Sequence, residues 1–246
     1  MDSQRKRILI FGVILAVSLL FYFLGRKQTQ VHEPVIAAQR IETEDEILVK
    51  KVYMEGKEKD TEAQKIALTF DDGPHPYYTE QLLDGLKERG VVATFFVTGE
   101  HASLHPDVIK RMQEEGHLIG NHTYSHMQLT SRNRADFKEE LIKTNEIIEE
   151  ITGVEVEYVR PPYGAWDKSF EEELNMIPVL WTIDPMDWCS SNVSRITERI
   201  TNKARENAII LMHDYYDTSV TAALMAVDEL LKEGYEFVTV EEILFD

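Results

Sequence analysis

From Lys65 onward the sequence alternates, about seven times, between short β-type apolar runs and longer stretches with apolar residues at helical spacing. That alternation indicates a parallel sheet built through right-handed crossovers. Lys65 to Phe70, Val92 to Val97, His117 to Gly120, Val156 to Val159, Val179 to Ile183, Ala208 to Met212 and Phe237 to Val240 are the strand-like runs. Thr79 to Arg89 carries Leu82, Leu83 and Leu86 at helical spacing and meets a stop at Gly90. A second helix opens at Pro106, a favourable first-turn residue. Ala135 to Ile151 aligns Phe137, Leu141, Ile148 and Ile151 on one stripe before Gly153. Phe170 to Leu174, Ile196 to Arg205 and Ala222 to Lys232 complete the helical set. A barrel and a doubly wound open sheet both satisfy this pattern.

The polar residues of interest fall at or just beyond the ends of these strands. They are Asp71-Asp72, His122 with His126, Arg160, Asp187-Trp188 and His213. In a parallel α/β fold the C-terminal strand ends gather on one face, so residues far apart in sequence share one pocket there. A metal-dependent hydrolase is the reading this arrangement supports first.

His122 and His126 are four apart, and on a helical turn both rings project from one face and can grip one ion. His101 and His105 share that spacing, but Pro106 disfavours helical geometry beside them and no acidic strand end adjoins. The second pair is therefore read as a surface feature. Asp71-Asp72 follow an apolar strand, and Gly73-Pro74 turns the chain away, leaving two carboxylates at the rim. One can bind a cation while the other acts as a base. Two histidines and one carboxylate with an open position make a catalytic rather than a structural metal site. Zn²⁺ is the first choice, with Co²⁺, Mn²⁺ or Fe²⁺ compatible with the same ligands. Arg160 can pair with the carboxylate that stays off the metal. The prolines after it hold the backbone so that an N–H such as that of Tyr163 faces an oxyanion. His213 is placed as a general acid, and Asp187 nearby raises its pKa. Trp188 offers an apolar face of the kind sugars stack on.

The formal charge of −18 over 246 residues argues against nucleic acid as a partner, because such binders present a basic face. A hydrophobic content of 43% supports one sizeable core. Cys189 is the only cysteine and has no intramolecular disulfide partner. The N-terminus is of another character. Arg5, Lys6 and Arg7 precede a charge-free run from Ile8 to Leu24, which as a helix spans roughly 26 Å against a hydrocarbon core of ~30 Å. Tyr22 and Phe23 suit the interface, and Arg26-Lys27 end the run. Residues 1–27 thus read as an uncleaved membrane anchor rather than a signal peptide, whose apolar core is shorter and whose small-residue cleavage site follows closely. Residues 28–64 read as an extracytoplasmic stalk and 65–246 as the catalytic domain. Exposure outside the cell membrane, through a single span, is the expected location.

These motifs together resemble the polysaccharide deacetylase family, also called carbohydrate esterase family 4 or the NodB-homology domain. They read TFDDGP at Thr69 to Pro74, HTYSH at His122 to His126, RPPYG at Arg160 to Gly164, DPMDW at Asp184 to Trp188 and LMH at Leu211 to His213. The resemblance covers about Lys65 to the C-terminus and departs from the family at no catalytic position. It implies a distorted (β/α) barrel that removes acetyl groups from sugar polymers. It also implies Asp71 as general base, Asp72, His122 and His126 as metal ligands, and Arg160 as the residue orienting Asp71. Tyr163 would supply its N–H to the oxyanion, His213 would protonate the leaving amine under the influence of Asp187, and Trp188 and Leu211 would wall the acetyl pocket. The type most similar is the bacterial peptidoglycan N-acetylglucosamine deacetylase, whose partner is an N-acetylated glycan, with no obligate protein partner. An O-acetyl esterase and a non-catalytic glycan-binding module are the alternatives.

Overall fold

The computed structural model describes residues 63–245. The apolar run from Ile8 to Leu24 and nearly all of the stalk lie outside the described residues. Among the described residues no helix is long and apolar enough to cross a membrane.

Seven parallel strands form one sheet: β1 (Gln64–Asp71), β2 (Thr94–Val97), β3 (Leu118–Asn121), β4 (Tyr158–Val159), β5 (Ile177–Pro178), β6 (Ala208–His213) and β7 (Tyr235–Val238). The spatial order is β5-β4-β3-β2-β1-β6. The first half of β1 pairs with β7 and its second half with β2, while β6 runs along most of its length. Among the described residues, eight helices connect and cover the strands: α1 (Tyr78–Arg89), α2 (Gly99–Leu104), α3 (Pro106–Glu114), α4 (Arg134–Thr152), α5 (Ser169–Leu174), α6 (Val193–Thr201), α7 (Asp217–Lys232) and α8 (Val240–Phe245).

The alternation along β1 sends its side chains into two separate clusters, one on each face of the sheet. Ile66, Leu68 and Phe70 join the large core that also takes Leu82, Leu83 and Leu86 of α1 and Ala223, Val227 and Leu230 of α7. Each such leucine, isoleucine, valine or phenylalanine side chain, fully buried, contributes about 1.5–3 kcal/mol. The intervening residues face the other way: Ala67 packs with Phe96, Tyr158, Val179, Ile209 and Val240 in a smaller interior cluster. Thr69 and Asp71 continue this inner row toward the strand's C-terminal end, where the interior becomes polar. The result is a curled half-barrel with an apolar floor and a polar mouth.

Helix limits follow the sequence signals where those are local. Gly90 and Gly153 take the left-handed conformation that ends α1 and α4. Asn192 caps α6 by accepting from the Arg195 N–H at 3.0 Å, so that helix starts before Ile196. Three readings are corrected. The run from Val179 to Ile183 is not a strand: only Ile177 and Pro178 pair with β4, and Ile183 makes a lone bridge to Ile210. The carbonyls of Val179 and Leu180 accept from the Arg160 guanidinium at 3.1 and 3.4 Å instead of joining a ladder. The segment of His122 to His126 is not helical: Thr123 and His126 both have positive φ, at 62° and 58°. Finally, α2 and α8 form where no helix was expected; α2 is only six residues long and too short to show a stripe.

Candidate active site

The C-terminal ends of β1, β3, β4 and β6 bring the motif residues to one cleft of about 420 Å³. Its lining includes Asp71, Asp72, His122, His126, Tyr163, Trp188, Leu211 and His213. Arg160 and Asp187 lie just behind it, buried against the residues they serve. All ten residues singled out from the sequence therefore belong to one place.

Asp71 is the last residue of β1 and Asp72 the first beyond it, with φ of 74°. This left-handed step sends the two carboxylates to different partners. Asp71 Oδ1 accepts from Arg160 Nη1 at 2.9 Å. Asp72 Oδ1 sits 3.4 Å from His122 Nε2 and 3.4 Å from His126 Nε2. That oxygen is buried and accepts no hydrogen bond. The three ligand atoms lie within 4.8 Å of one another. His122 has its other nitrogen, Nδ1, 2.6 Å from the Arg160 carbonyl; since a carbonyl only accepts, Nδ1 is the donor there, and Nε2 is the nitrogen left to face a metal. A convergent carboxylate and two imidazoles, one oriented by its neighbour, fit a divalent metal ion. Burial pushes the Asp72 carboxyl up, but His122, His213 and His126 outweigh it and hold the group down to about 2. The anionic form a cation needs is thus the one present at neutral pH.

Arg160 is fully buried and spans the mouth of the half-barrel. Nη1 reaches both Asp71 and Thr69 Oγ1, Nε reaches the Val179 carbonyl at 3.1 Å, and the guanidinium lies 4.2 Å from the centre of the Phe96 ring. Thr69 in turn donates to the Ile210 carbonyl at 2.7 Å. Asp71 therefore has one oxygen fixed and the other facing the cleft.

Pro162–Gly164 is a single 3-10 turn in which Tyr163 has φ of 58°. Its side chain is 67% exposed and packs edge-on to His126, with ring centres 5.0 Å apart. Asp187 opens another 3-10 turn and binds His213 twice, through the ring Nδ1 at 3.0 Å and the backbone N–H at 2.9 Å. Burial lowers the His213 pKa, and Asp187, with Asp71 and Asp72, reverses that and raises it to about 9. The imidazolium is a stable proton donor at the cleft's edge. Trp188 is 54% exposed at the cleft wall, which excludes an ordinary core role, whereas Leu211 is buried behind its floor.

Trp181 and Asp184 line the same cleft and were not among the expected site residues. Asp184 heads the DPMDW stretch, and its Oδ1 accepts from the Met186 N–H at 2.7 Å, shaping the turn that delivers Asp187. Its place at the head of that motif was the available signal. Trp181 lay inside the presumed strand and carried none. His101, read as a surface residue, is half-buried and reaches the Asp72 carbonyl.

Comparison with known proteins agrees with the geometry. The family model described as polysaccharide deacetylase matches residues 58–179. The chain is 40% identical over 184 residues to the peptidoglycan-N-acetylmuramic acid deacetylase PdaC of Bacillus subtilis, covering 75% of this chain and 39% of PdaC. It is 38% identical over 180 residues to the peptidoglycan-N-acetylglucosamine deacetylase PgdA of Listeria monocytogenes, covering 73% of this chain and 39% of that one. The chain thus spans about two fifths of the length of these two relatives. A chitooligosaccharide deacetylase of Rhizobium leguminosarum bv. trifolii is 42% identical over 161 residues, with 64% of this chain and 74% of the relative covered. The solved structure of PdaC superposes with a TM-score of 0.70 at 39% identity, over 74% of this chain and 91% of that structure. The chain belongs to the polysaccharide deacetylase family.

Proposed function

We propose that this protein is a metal-dependent deacetylase that hydrolyses the acetamido group of N-acetylglucosamine residues in peptidoglycan or chitin-like oligosaccharides. One observation carries the reading: the Asp72, His122 and His126 set shares a cleft with a carboxylate and an imidazolium, Asp71 and His213, on neighbouring strands. Asp72, His122 and His126 would hold the ion, Zn²⁺ by preference and Co²⁺, Mn²⁺ or Fe²⁺ as alternatives. When bound, such an ion polarises a carbonyl and acidifies water.

The chain's own groups do the rest. Asp71, with one oxygen fixed by Arg160, takes the proton from the attacking water on its free oxygen. The Tyr163 N–H, presented by a turn of fixed backbone, donates to the acetyl oxygen as it gains charge. His213 Nε2 gives its proton to the amine nitrogen as the C–N bond breaks, with Nδ1 occupied by Asp187. Trp188 supplies a face for the sugar, and Leu211 closes the acetyl pocket.

Relatives named for glucosamine and for muramic acid deacetylation are similar to this chain at 38% and 40% identity, so the glycan, peptidoglycan, is supported more firmly than the sugar. The charge-free run from Ile8 to Leu24 supports a single-span anchor that displays the domain outside the cell membrane. Purified enzyme, stripped with chelator and reloaded with zinc, should release acetate from chito-oligosaccharides and from peptidoglycan. Mass spectrometry of the muropeptides should find the lost acetyl on glucosamine. Acetate from acetylated xylan alone would make it an O-acetyl esterase, and no acetate with any of the four metals would overturn the reading.

A further inference from the structure

The metal ligands arrive on two separate loops, and one short helix ties both down. Four tethers run from the start of α2 and the residue before it. The Thr98 N–H donates to the Gly73 carbonyl at 3.1 Å, beside Asp72. The Gly99 and Glu100 N–H groups donate to the Thr123 and Tyr124 carbonyls at 2.9 and 3.0 Å, between His122 and His126. The fourth is His101, whose Nδ1 lies 2.7 Å from the carbonyl oxygen of Asp72 itself. A carbonyl can only accept, so Nδ1 is the donor. The approach is tight: a Cβ on Gly99 would stand 2.5 Å from Thr144 Oγ1 and 2.7 Å from the Tyr124 ring.

Three of these tethers use backbone N–H groups, which any residue but proline provides. Only the His101 tether depends on side-chain identity. It also acts where the backbone is least self-sufficient, since Asp72 holds φ of 74° without being glycine. The His101 ring is itself held in place, stacked on Tyr215 with centres 5.7 Å apart and 25° between planes. The His101 ring bonds to the backbone of Asp72 and not to its carboxylate, and it lies outside all five sequence motifs.

We infer that His101 is a positioning residue for the metal site: by holding the Asp72 carbonyl it fixes the left-handed turn that aims the Asp72 carboxylate at His122 and His126. The inference rests on those three residues being the metal ligands. Partners that orient a ligand from behind are typically worth 10–100-fold in metal affinity, and this backbone tether falls at the lower end of that range.

The test is Zn²⁺ affinity of the metal-stripped protein, measured by competition with a chromophoric chelator, alongside the melting temperature of the same metal-free samples. His101→Leu removes the donor and should weaken binding about 10-fold. His101→Gln stays polar but places its amide at the Nε2 position, and should lose as much. His101→Asn places an amide N–H where Nδ1 stands and should return affinity to within about twofold of the parent, with the metal-free melting temperatures alike. Parent-like affinity in the glutamine variant overturns the inference, as does equal loss in the asparagine and glutamine variants. That pair decides the matter even where the leucine variant does not fold. A parent protein that binds no zinc overturns the metal reading and this inference together; a parent that binds zinc while all variants match it overturns this inference alone.

Discussion

Asp187 engages His213 with both carboxylate oxygens, one on the ring Nδ1 at 3.0 Å and one on the same residue's backbone N–H at 2.9 Å. The pairing fixes the ring, its tautomer and its charge at once, and leaves Nε2 directed away from Asp187. With a pKa raised to about 9, His213 keeps its proton through neutral pH and loses it as pH climbs through that value. An acid must be protonated to work, so the basic limb of kcat/KM reports this group. A bound divalent ion repels the imidazolium and draws the limb below 9, and the displacement caused by a mutation keeps its sign. Asp187→Asn should move the limb down toward or below 6.5, with activity at pH 8 falling more than about 10-fold. A pH–rate profile in which the limb stays put would remove Asp187 from this role.

The two adjacent aspartates should separate cleanly. Asp71→Asn is expected to lower turnover by about 10²–10⁴-fold while zinc stoichiometry stays at the parental level. Asp72→Asn should lose both, because Asp72 Oδ1 is the atom that faces both histidines. Acetate release and metal content measured on the same samples decide it; zinc loss in Asp71→Asn would exchange the two assignments.

Arg160→Met should cost about 3–5 kcal/mol of folding stability, the usual penalty for removing one member of a buried charged pair. Asp71, Thr69 and the Val179 carbonyl all lose their donor in that variant. Urea unfolding of the parent and variant measures the difference. A change under about 1 kcal/mol would show that the interior tolerates the loss, against the bonding described.

His117 makes acid stability a second measurable. It is buried, accepts from the Ala93 N–H at 3.1 Å, and burial pushes its pKa down to about 4. An unfolded histidine takes its proton near 6.5, so between those values the unfolded chain binds the extra proton. Stability from this group is therefore complete above about 6.5 and falls as pH drops toward 4. Between pH 7 and pH 5 the loss should be about 2 kcal/mol, and His117→Asn should remove that slope whatever its effect at pH 7. Parallel slopes for parent and variant in urea titrations at the two pH values would exclude the effect.

The strands and their polar ends were legible because both signals are local: β-branched runs of four to six residues, each closed by a residue too polar for the core. Handedness was not. Nothing in Asp71-Asp72-Gly73 announces that Asp72 is the left-handed residue, and nothing in HTYSH reveals two positive φ values in place of a helical turn. The spacing of His122 and His126 suited an ion for a reason other than the one inferred. The run from Val179 to Ile183 has strand composition, but its carbonyls are claimed by a guanidinium twenty residues earlier, a tertiary demand that overrides propensity. His101 shows the limit most clearly. Its spacing to His105 matches that of His122 to His126, Pro106 after His105 disfavours a shared helical face, and its actual partner is a backbone atom 29 residues before it.

The register of β1 against β6 sets Asp71 directly beside His213. The two groups that would move protons are thus supplied by opposite ends of the domain and meet only when β6 is laid against β1. β6 also builds the large core, through Ala208, Ile210 and Met212. The contact that completes the core is therefore the same one that brings the Asp71 carboxylate and the His213 imidazole together.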